Sequence, residues 1–148
     1  MSKFIQGIYR LTNKSKYKGD PNQIIYRSSW ELSYLYQLDK DPNVLEFSSE
    51  EIIIPYRDVN GKVRRYFVDF WVKRKVGDQI IEELIEIKPY KETKPPVLTE
   101  GQKTKTKVRA VLTWDTNQRK WQAARKYCEM KGWHFRIITE KNLPGIVT

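Results

Sequence analysis

The sequence predicts an α/β protein in which a mixed sheet is flanked by helices, because helical and strand-like segments alternate along the chain. Two segments, SSWELSYLYQLDKDP and DTNQRKWQAARKYCEMKG, have apolar residues at helical spacing. Three runs, EEIIIPY, RRYFVDFWVK and QIIEELIEIK, are rich in β-branched and aromatic residues and are separated by the turn pairs Asn60-Gly61 and Gly77-Asp78. A chain of 148 residues is expected to form one domain, residues 1–148.

The first helix is expected to follow an N-cap at Ser28 or Ser29 and to end before Pro42. Glu31 shares a face with apolar residues of this helix, so its carboxylate is expected to point toward the core. Those apolar residues are Tyr34, Leu35 and Leu38.

The second helix is expected to start at a cap formed by Asp115 or Thr116 and to end at Gly132, a residue type common at helix ends. A short strand, VRAVLTW, is expected before this helix, and a last strand, WHFRIIT, after it. The predicted apolar face of the helix is formed by Trp121, Ala124 and Cys128.

Two segments without apolar periodicity are expected to be irregular. Residues 1–25 are polar and basic and are broken by Gly19 and Pro21, which predicts an arm that lies on DNA or on a protein partner. Residues 89–107 contain three prolines and many lysines, which predicts a basic surface loop with a function of its own.

The charge of the chain indicates an anionic partner. The net charge is +10, and residues 88–131 hold twelve Lys or Arg against four Asp or Glu. We therefore expect double-stranded DNA to bind along this segment through phosphate contacts. Lys120 is expected to reach toward the site because it lies one helical turn from Ala124. The predicted DNA-binding residues are Arg27, Lys103, Lys105, Lys107, Lys120 and Arg125.

The sequence also excludes several kinds of chemistry. Cys128 is the only cysteine and His134 the only histidine, so internal disulfides, Cys/His zinc clusters and Ser-His-Asp catalysis are excluded or improbable. No apolar run approaches the roughly 20 residues of a membrane span, and the N-terminal sequence lacks the apolar segment of a signal peptide, so no membrane partner is expected. An enzyme of this composition has to use carboxylates, lysines and a hard metal ion.

The predicted turn at Gly77-Asp78 fixes the register of its two strands, and that register sets Asp69 opposite Glu86. Directly opposed side chains have Cβ atoms about 5 Å apart, so two carboxylates there repel each other. Such a pair makes physical sense when a divalent cation lies between the acids. Mg²⁺, for which Mn²⁺ can substitute, suits such oxygen ligands better than zinc does. We therefore predict a Mg²⁺ site at Asp69, Glu86 and the backbone carbonyl of Ile87, with no small-molecule cofactor.

These residues have separable predicted roles in phosphodiester cleavage. A metal at the site would polarise a phosphate oxygen and lower the pKa of a bound water. Lys88 follows Glu86 on the same strand face, where it would position or activate that water and offset charge in the transition state. Glu31 would hold the remaining metal-bound waters or a second ion. The predicted catalytic residues are therefore Glu31, Asp69, Glu86 and Lys88.

Several of the acids also have a structural interpretation. An isolated pair such as Glu86 and Lys88 is more often a salt bridge on a solvated sheet face. Glu82 and Glu83 fall on opposite faces of their strand and are interpreted as solvated or paired, without chemistry. Glu50 and Glu51 open a strand-like run, where one of them could support the site, but solvent exposure is expected.

A helix-borne acid, a VD pair and an EIK triplet, followed by a basic helix, resemble the PD-(D/E)xK nuclease superfamily. The segments YRSSWEL, IIIPY, RRYFVDFWV, IEIKP and NQRKWQAARKYC more closely resemble the head-completion nucleases of T-even-like tailed phages, themselves similar to TnsA-type transposon endonucleases. Val68 occupies the position at which the superfamily name has proline. The matching residues are Glu31, Val68-Asp69 and Glu86-Ile87-Lys88, within a resemblance that covers residues 16–140.

The resemblance implies one nuclease domain with a restriction-endonuclease-like core, and a Mg²⁺-dependent endonuclease that processes packaged DNA ends before phage tails attach. It also implies phage portal or neck proteins as partners, and a location in the host cytoplasm during assembly or in the virion at the head–tail connector. Two other functions fit the same residues. One is a non-catalytic head or neck completion protein that binds DNA ends, and the other is a recombination-type nuclease of the same superfamily.

Overall fold

The computed structural model describes residues 6–143, in which a mixed sheet lies between two helices. The elements are β1 Gly7–Ile8, β2 Ile25–Tyr26, α1 Ser29–Lys40, β3 Val44–Ser49, β4 Ile53–Arg57, β5 Val63–Phe67, β6 Phe70–Val76, β7 Gln79–Ile87, α2 Thr104–Lys131 and β8 His134–Ile138. The central sheet has the order β3-β6-β7-β8, with β8 parallel to β7 and the other neighbours antiparallel. The pairs β1-β2 and β4-β5 form separate ribbons. The predicted α/β fold with a mixed sheet and the predicted last strand are confirmed.

Each face of the central sheet is covered by one helix. Leu35 of α1 belongs to a buried cluster with Phe70 of β6, and Trp121 of α2 belongs to a second cluster with Leu84 of β7. The alternation of side chains along β6 and β7 separates these two clusters. Neither helix in the described part of the chain is long and apolar enough to cross a bilayer.

The first helix forms where its sequence predicts. Ser28 is the N-cap, and its Oγ accepts a hydrogen bond of 3.1 Å from the backbone N–H of Glu31. This contact satisfies one of the N–H groups that a helix start leaves without a partner. The helix ends at Lys40, before Pro42. The apolar residues predicted to face the core are buried: Trp30, Tyr34, Leu35 and Leu38.

The α2 helix starts at Thr104, so the predicted start at Asp115 or Thr116 and the predicted strand VRAVLTW are both wrong. No proline or glycine interrupts the chain between Lys103 and Gly132, and this long run of helix-compatible residues outweighs the β-branched side chains in VRAVLTW. The predicted end is confirmed, because Gly132 caps the helix with a φ of 74°, a left-handed conformation that glycine adopts at little cost.

The basic segment after β7 is therefore shorter than the predicted loop of residues 89–107. It contains a short 3₁₀ helix at Tyr90–Thr93 and ends at Lys103, the N-cap of α2. Lys105 and Lys107 lie in the first turn of α2 and not on an extended run. The predicted extended run of alternating lysines is therefore wrong, because Lys105 and Lys107 are helical.

Both predicted hairpin turns are confirmed. Asn60-Gly61 lies in the loop between β4 and β5, where Gly61 has a φ of 79°. Gly77-Asp78 joins β6 to β7, and Gly77 has a φ of 61°. A positive φ at the first central residue of a two-residue turn matches the twist of the strands, which explains glycine at this position.

One predicted strand is divided, and β3 was not predicted. The run RRYFVDFWVK bends at Val68-Asp69, so that β5 pairs with β4 while β6 pairs with β3 and β7. At the bend, the N–H of Val68 donates to the carbonyl of Ile52, and the carbonyl of Asp69 accepts from the N–H of Glu50. The hydrogen-bond partner of the chain therefore changes at this bend, from β4 before it to β3 and β7 after it. The bend places Asp69 at the start of β6, at one end of the central sheet.

Most of residues 6–25 lie outside helices and strands, as predicted for the arm of residues 1–25, but the segment packs on the core and is not a separate arm; residues 1–5 lie outside the described residues. Strand β1 pairs with β2, which directly precedes α1. Lys16 Nζ donates to backbone carbonyls at the end of α1, including that of Leu38 at 2.6 Å. A cation at the negative end of a helix dipole is stabilising, which explains this contact.

Asp39 anchors the N-terminal segment to α1. Its side chain is fully buried, and its carboxylate accepts hydrogen bonds from the backbone N–H of Thr12 at 2.8 Å, the N–H of Asn13 at 2.9 Å and the hydroxyl of Tyr9 at 2.9 Å. Burial alone would raise the pKa of Asp39, but these donors outweigh it and lower the pKa below its usual value. The ionised carboxylate therefore stabilises the folded chain.

Replacing Asp39 with alanine should cost about 3 kcal/mol at pH 7, because the buried N–H groups of Thr12 and Asn13 lose their acceptor. The lowered pKa in the folded state means that this contribution is present above the unfolded pKa of about 3.9 and is lost as the pH falls through the folded value. The difference in Tm from wild type, followed by circular dichroism, should therefore shrink below about pH 4. Asp78→Ala, in an exposed turn, should cost less than about 0.5 kcal/mol. An equally small cost for Asp39→Ala would contradict the anchoring role.

Candidate active site

The β6-β7 hairpin brings the predicted acids together. Its register pairs Val76 with Gln79 and continues without a shift to Phe70 and Ile85, as predicted. The next position along the same register sets Asp69 opposite Glu86. Asp69 lies in the bend before β6, and its Oδ2 accepts a hydrogen bond of 2.8 Å from the backbone N–H of Ile87. The side chain of Asp69 thus closes the end of the hairpin.

Glu86 is held on one side by a hydroxyl and on the other by an ammonium. The residue is 5% exposed, and its Oε1 accepts a hydrogen bond of 2.6 Å from the hydroxyl of buried Tyr66. Lys88 Nζ lies 3.5 Å from Oε2 of Glu86, which confirms that Lys88 follows Glu86 on the same side. Because Glu86 is buried, the alternative of a salt bridge on a solvated face is wrong for this pair.

The electrostatics of the site leave negative charge without full compensation. Burial, and then repulsion from Glu86, raise the pKa of Asp69 well above its usual value, while the hydrogen bond from Ile87 and the charge of Lys88 only partly oppose this rise. Glu31 adds a further repulsive contribution to Asp69. Such a site favours a proton or a cation over two bare carboxylates.

Glu31 reaches the site from the first turn of α1. Together with Ser28 it has the spacing of a capping box, in which the acid at the third helical position supports the helix start. Burial, followed by the charge of Glu50, raises the pKa of Glu31. Glu31 thus makes a helix-capping contact, and its charge also lies close enough to Asp69 to raise the pKa of Asp69.

The donor set of the site fits a hard cation. Within residues 6–143, no three Asp, Glu, His or Cys side chains converge as ready metal ligands. Asp69 and Glu86 each have one oxygen engaged by a neutral donor, from Ile87 and Tyr66 respectively. Oε2 of Glu86 lies 3.5 Å from Nζ of Lys88, so the two carboxylates share one ammonium and keep a net negative charge when both are ionised. Two oxygen donors with uncompensated charge suit Mg²⁺ or Mn²⁺, whose remaining positions are commonly filled by water and phosphate oxygens.

The predicted DNA-binding residues fall into separate groups. Arg27 forms an ion pair with Glu50, beside the site acids. Lys120 Nζ lies 5.5 Å from the ring centre of Tyr66, the residue that binds Glu86, so the prediction that Lys120 reaches toward the site is supported by its position. The guanidinium of Arg125 lies over the ring of Phe135 at 5.6 Å. The three lysines at the start of α2 form the remaining group: Lys103, Lys105 and Lys107.

Sequence reasoning missed Tyr66 and misjudged two acids. Tyr66 lies in β5, and the bend at Asp69 hid its approach to Glu86, because a continuous strand would have carried it away from the hairpin. The solvent exposure expected for Glu50 and Glu51 is found at Glu51, whereas the side chain of Glu50 is 29% exposed and binds Arg27. Glu83 is paired, as one alternative predicted, but it is buried and not solvated.

The two arginines that neutralise Glu83 separate it from the site chemistry. Nε of Arg74 lies 2.8 Å, and Nε of Arg136 2.9 Å, from the Glu83 carboxylate. Glu82 accepts a hydrogen bond of 3.2 Å from the indole of Trp71. Glu83 thus has the cationic partners that Asp69 lacks.

The variant Asp69→Asn should stabilise the folded chain at neutral pH when EDTA removes divalent ions. Ionising a carboxyl whose pKa is raised by folding costs the folded state, so the penalty grows from the unfolded pKa of about 3.9 up to the raised folded value and stays constant above it. Asparagine avoids this charge and keeps an oxygen for the N–H of Ile87. We expect a gain of about 1–2 kcal/mol at pH 8 that vanishes near pH 4, measured by urea unfolding. The control Asp78→Asn should show no such gain, and a loss of stability in Asp69→Asn at pH 8 would contradict the uncompensated charge.

Comparison with known proteins shows the family of the chain. Residues 41–140 match the family described as TnsA-like endonuclease N terminal, a range that includes every strand of the central sheet and α2. The chain is also 45% identical over 138 residues, or 90% of each protein, to a protein of Enterobacteria phage T4 named head completion nuclease. The chain therefore belongs to the TnsA-like endonuclease family, a family of nucleases with a restriction-endonuclease-like fold.

Proposed function

We propose that the chain is a Mg²⁺-dependent DNA endonuclease that hydrolyses phosphodiester bonds during phage head completion. The observation that supports this most is the buried pair Asp69 and Glu86, two carboxylates whose charge the ammonium of Lys88 balances only in part. A chain selected only for stability would replace one of these acids. Retaining both makes sense when the protein binds a cation there.

In the proposed mechanism, Asp69 and Glu86 hold the metal, and the carbonyl of Ile87 is a further candidate ligand. A bound Mg²⁺ would supply Lewis-acid activation of a phosphate oxygen and of a water. Tyr66 donates a 2.6 Å hydrogen bond to one oxygen of Glu86. This contact fixes the orientation of the carboxylate and therefore the position of its second oxygen. Glu31 is proposed to orient water from the α1 side.

Lys88 is proposed as the residue that acts on the attacking water. Its Nζ lies 3.5 Å from Glu86 Oε2, longer than a tight charge-assisted hydrogen bond, and its side chain is 26% exposed. The ammonium can therefore orient a water from the solvent side and stabilise charge that develops on the phosphate. Tyr66 and Ile87 hold the two acids through hydrogen bonds that do not involve Lys88.

The start of α2 is proposed as a DNA phosphate contact. Lys103 caps the helix without a side-chain hydrogen bond, and the first turn contains no acid. Three lysines at the positive end of a helix dipole destabilise a helix unless an anion lies nearby. Phosphates of double-stranded DNA would supply that anion, and Lys120 would place the same helix at the site.

The context of head completion rests on the similarity to the head completion nuclease of phage T4. We propose that the chain acts in the host cytoplasm on packaged DNA ends before tails attach, or at the head–tail connector of the virion. An exposed apolar ridge on α2 offers a surface for a portal or neck protein. The ridge consists of Val108, Val111 and Leu112, which are 52%, 45% and 46% exposed.

The ridge also favours a second candidate function, a completion protein that works by binding alone. Phage complementation separates the two candidates. A folded Asp69→Asn protein should fail to restore infectious yield if cleavage is required, and normal yield would favour the binding role. A recombination-type nuclease would instead cut branched DNA in preference to linear duplex ends.

Purified protein should nick or cut duplex DNA with Mg²⁺ or Mn²⁺ and not with EDTA. Asp69→Ala and Lys88→Ala should each lower the rate by at least about a hundredfold, because they remove a metal ligand and a charge-stabilising group. Glu82→Ala, on the same strand, should keep near wild-type activity and serves as the control. Gel assays on supercoiled plasmid give the rates. Cutting that persists in both site variants would show that the site is assigned wrongly.

The triple variant Lys103→Gln, Lys105→Gln, Lys107→Gln should bind duplex DNA more weakly and with less salt dependence. Loss of three phosphate contacts should reduce the slope of log affinity against log salt by about 2.7. Fluorescence anisotropy at several salt concentrations measures this slope. The control variant Lys62→Gln, Lys75→Gln, changed at the two exposed hairpin ends, should have the same slope as wild type. Equal slopes for the triple variant and wild type would exclude these lysines from the interface.

A further inference from the structure

Glu50 has a backbone conformation that its residue type normally avoids. Its φ is 56°, and it is the only residue other than glycine with a positive φ in the described range 6–143. The left-handed conformation costs a residue with a Cβ atom about 1–2 kcal/mol relative to glycine. A glycine at this position would relieve the strain, so the glutamate side chain must serve some other purpose.

The strained residue is tied to the site through its backbone. Glu50 directly follows β3, and its N–H donates a hydrogen bond of 3.1 Å to the carbonyl of Asp69. The turn at Glu50 therefore forms next to the bend that carries the predicted metal ligand. Its conformation fixes where the Glu50 side chain points relative to Asp69.

The side chain of Glu50 holds a guanidinium beside the acids. Nη1 of Arg27 donates to Oε2 of Glu50, and Arg27 itself precedes Ser28, the N-cap of α1. The contact with Glu50 raises the pKa of Arg27, and the charges of Glu31 and Asp69 add to the rise. One guanidinium is thus within electrostatic reach of three carboxylates. The Arg27 side chain remains 45% exposed, so a ligand can still reach it.

We propose that Glu50 is a positioning residue that holds Arg27 where the guanidinium binds a phosphate group of the DNA strand being cut. This inference rests on the proposed nuclease function. A guanidinium has five donors in a planar fork, so it can bind Glu50 with one edge and a phosphate with another. Without Glu50, the flexible arginine side chain would turn toward solvent or toward Glu31 and Asp69, where it would compete with the metal.

A direct metal-binding role for Glu50 is the competing explanation, and a double-mutant cycle distinguishes the two. If Glu50 acts through Arg27, its replacement should matter only while Arg27 is present. If Glu50 binds metal, its replacement should lower activity equally in the presence and absence of Arg27. The four proteins to compare are wild type, Glu50→Gly, Arg27→Gln and the double variant.

Cleavage of duplex DNA with Mg²⁺ and thermal unfolding should be measured on all four. Glu50→Gly should be at least as stable as wild type, because glycine relieves the positive φ, and yet have a kcat/KM about tenfold lower. The loss should disappear in the Arg27→Gln background. Glu50→Gln, which keeps an oxygen acceptor for Arg27, should retain more activity than Glu50→Gly. Glu51→Gln, at the exposed neighbour, is the matched control and should behave as wild type.

Two results would overturn the inference: full activity in Glu50→Gly, or an equal loss from that change in both backgrounds. If wild type itself does not cleave DNA, the proposed function has failed, and the cycle is then read from duplex binding by anisotropy with Ca²⁺. Weaker binding in Glu50→Gly that vanishes in the Arg27→Gln background would still support the positioning role. Unchanged binding in Glu50→Gly would reject it.

Discussion

The repulsion between Asp69 and Glu86 is the interaction on which the rest of the site depends. The β6-β7 register sets these acids opposite each other, and a change of one residue in that register would move Glu86 to the other face of the sheet. The two-residue turn at Gly77 keeps the register fixed. A distant glycine thus determines which carboxylates meet, and burial then makes their charge costly.

The neighbours of the pair limit this cost without removing it. Ile87 and Tyr66 donate neutral hydrogen bonds, which orient the carboxylates but do not cancel their charge. Lys88 supplies one ammonium to the two acids. Elsewhere a single buried acid has more counter-charge than that, because Glu83 lies between two arginines. The contrast within one small domain shows that charge balance was available, and that the site differs from the rest of the core in this respect.

The parts of the fold that depend on local chemistry could be predicted from the sequence. The first helix has an N-cap and regular apolar spacing, and the hairpin has its turn residues, so α1 and the β6-β7 register follow from neighbours in the chain. The start of α2 could not be predicted, because the segment VRAVLTW is compatible with both a strand and a helix. Only the absence of proline and glycine between Lys103 and Gly132 favours the helix. The N-terminal segment could not be predicted either, since its contacts reach Asp39 from 26 to 30 residues away.

The same distinction explains which site residues were found. Asp69, Glu86 and Lys88 share one hairpin, so strand periodicity relates them directly. Tyr66 approaches Glu86 only because the chain bends at Val68-Asp69 and changes strand partners, and one aspartate within a strand-like run does not predict that bend.

The length of α2 sets the distance between the lysines at its start and Lys120 at the site. With a rise of about 1.5 Å per residue, the sixteen steps from Thr104 to Lys120 span about 24 Å, or roughly seven base pairs along a duplex. The lysines at the start of the helix would therefore contact phosphates well away from the bond being cut. Such contacts hold a duplex in position without selecting a base sequence, because phosphates are the same at every step. Under the proposed function, any preference for DNA ends must then come from the shape of the end at the site or from a protein partner, and not from base contacts along α2.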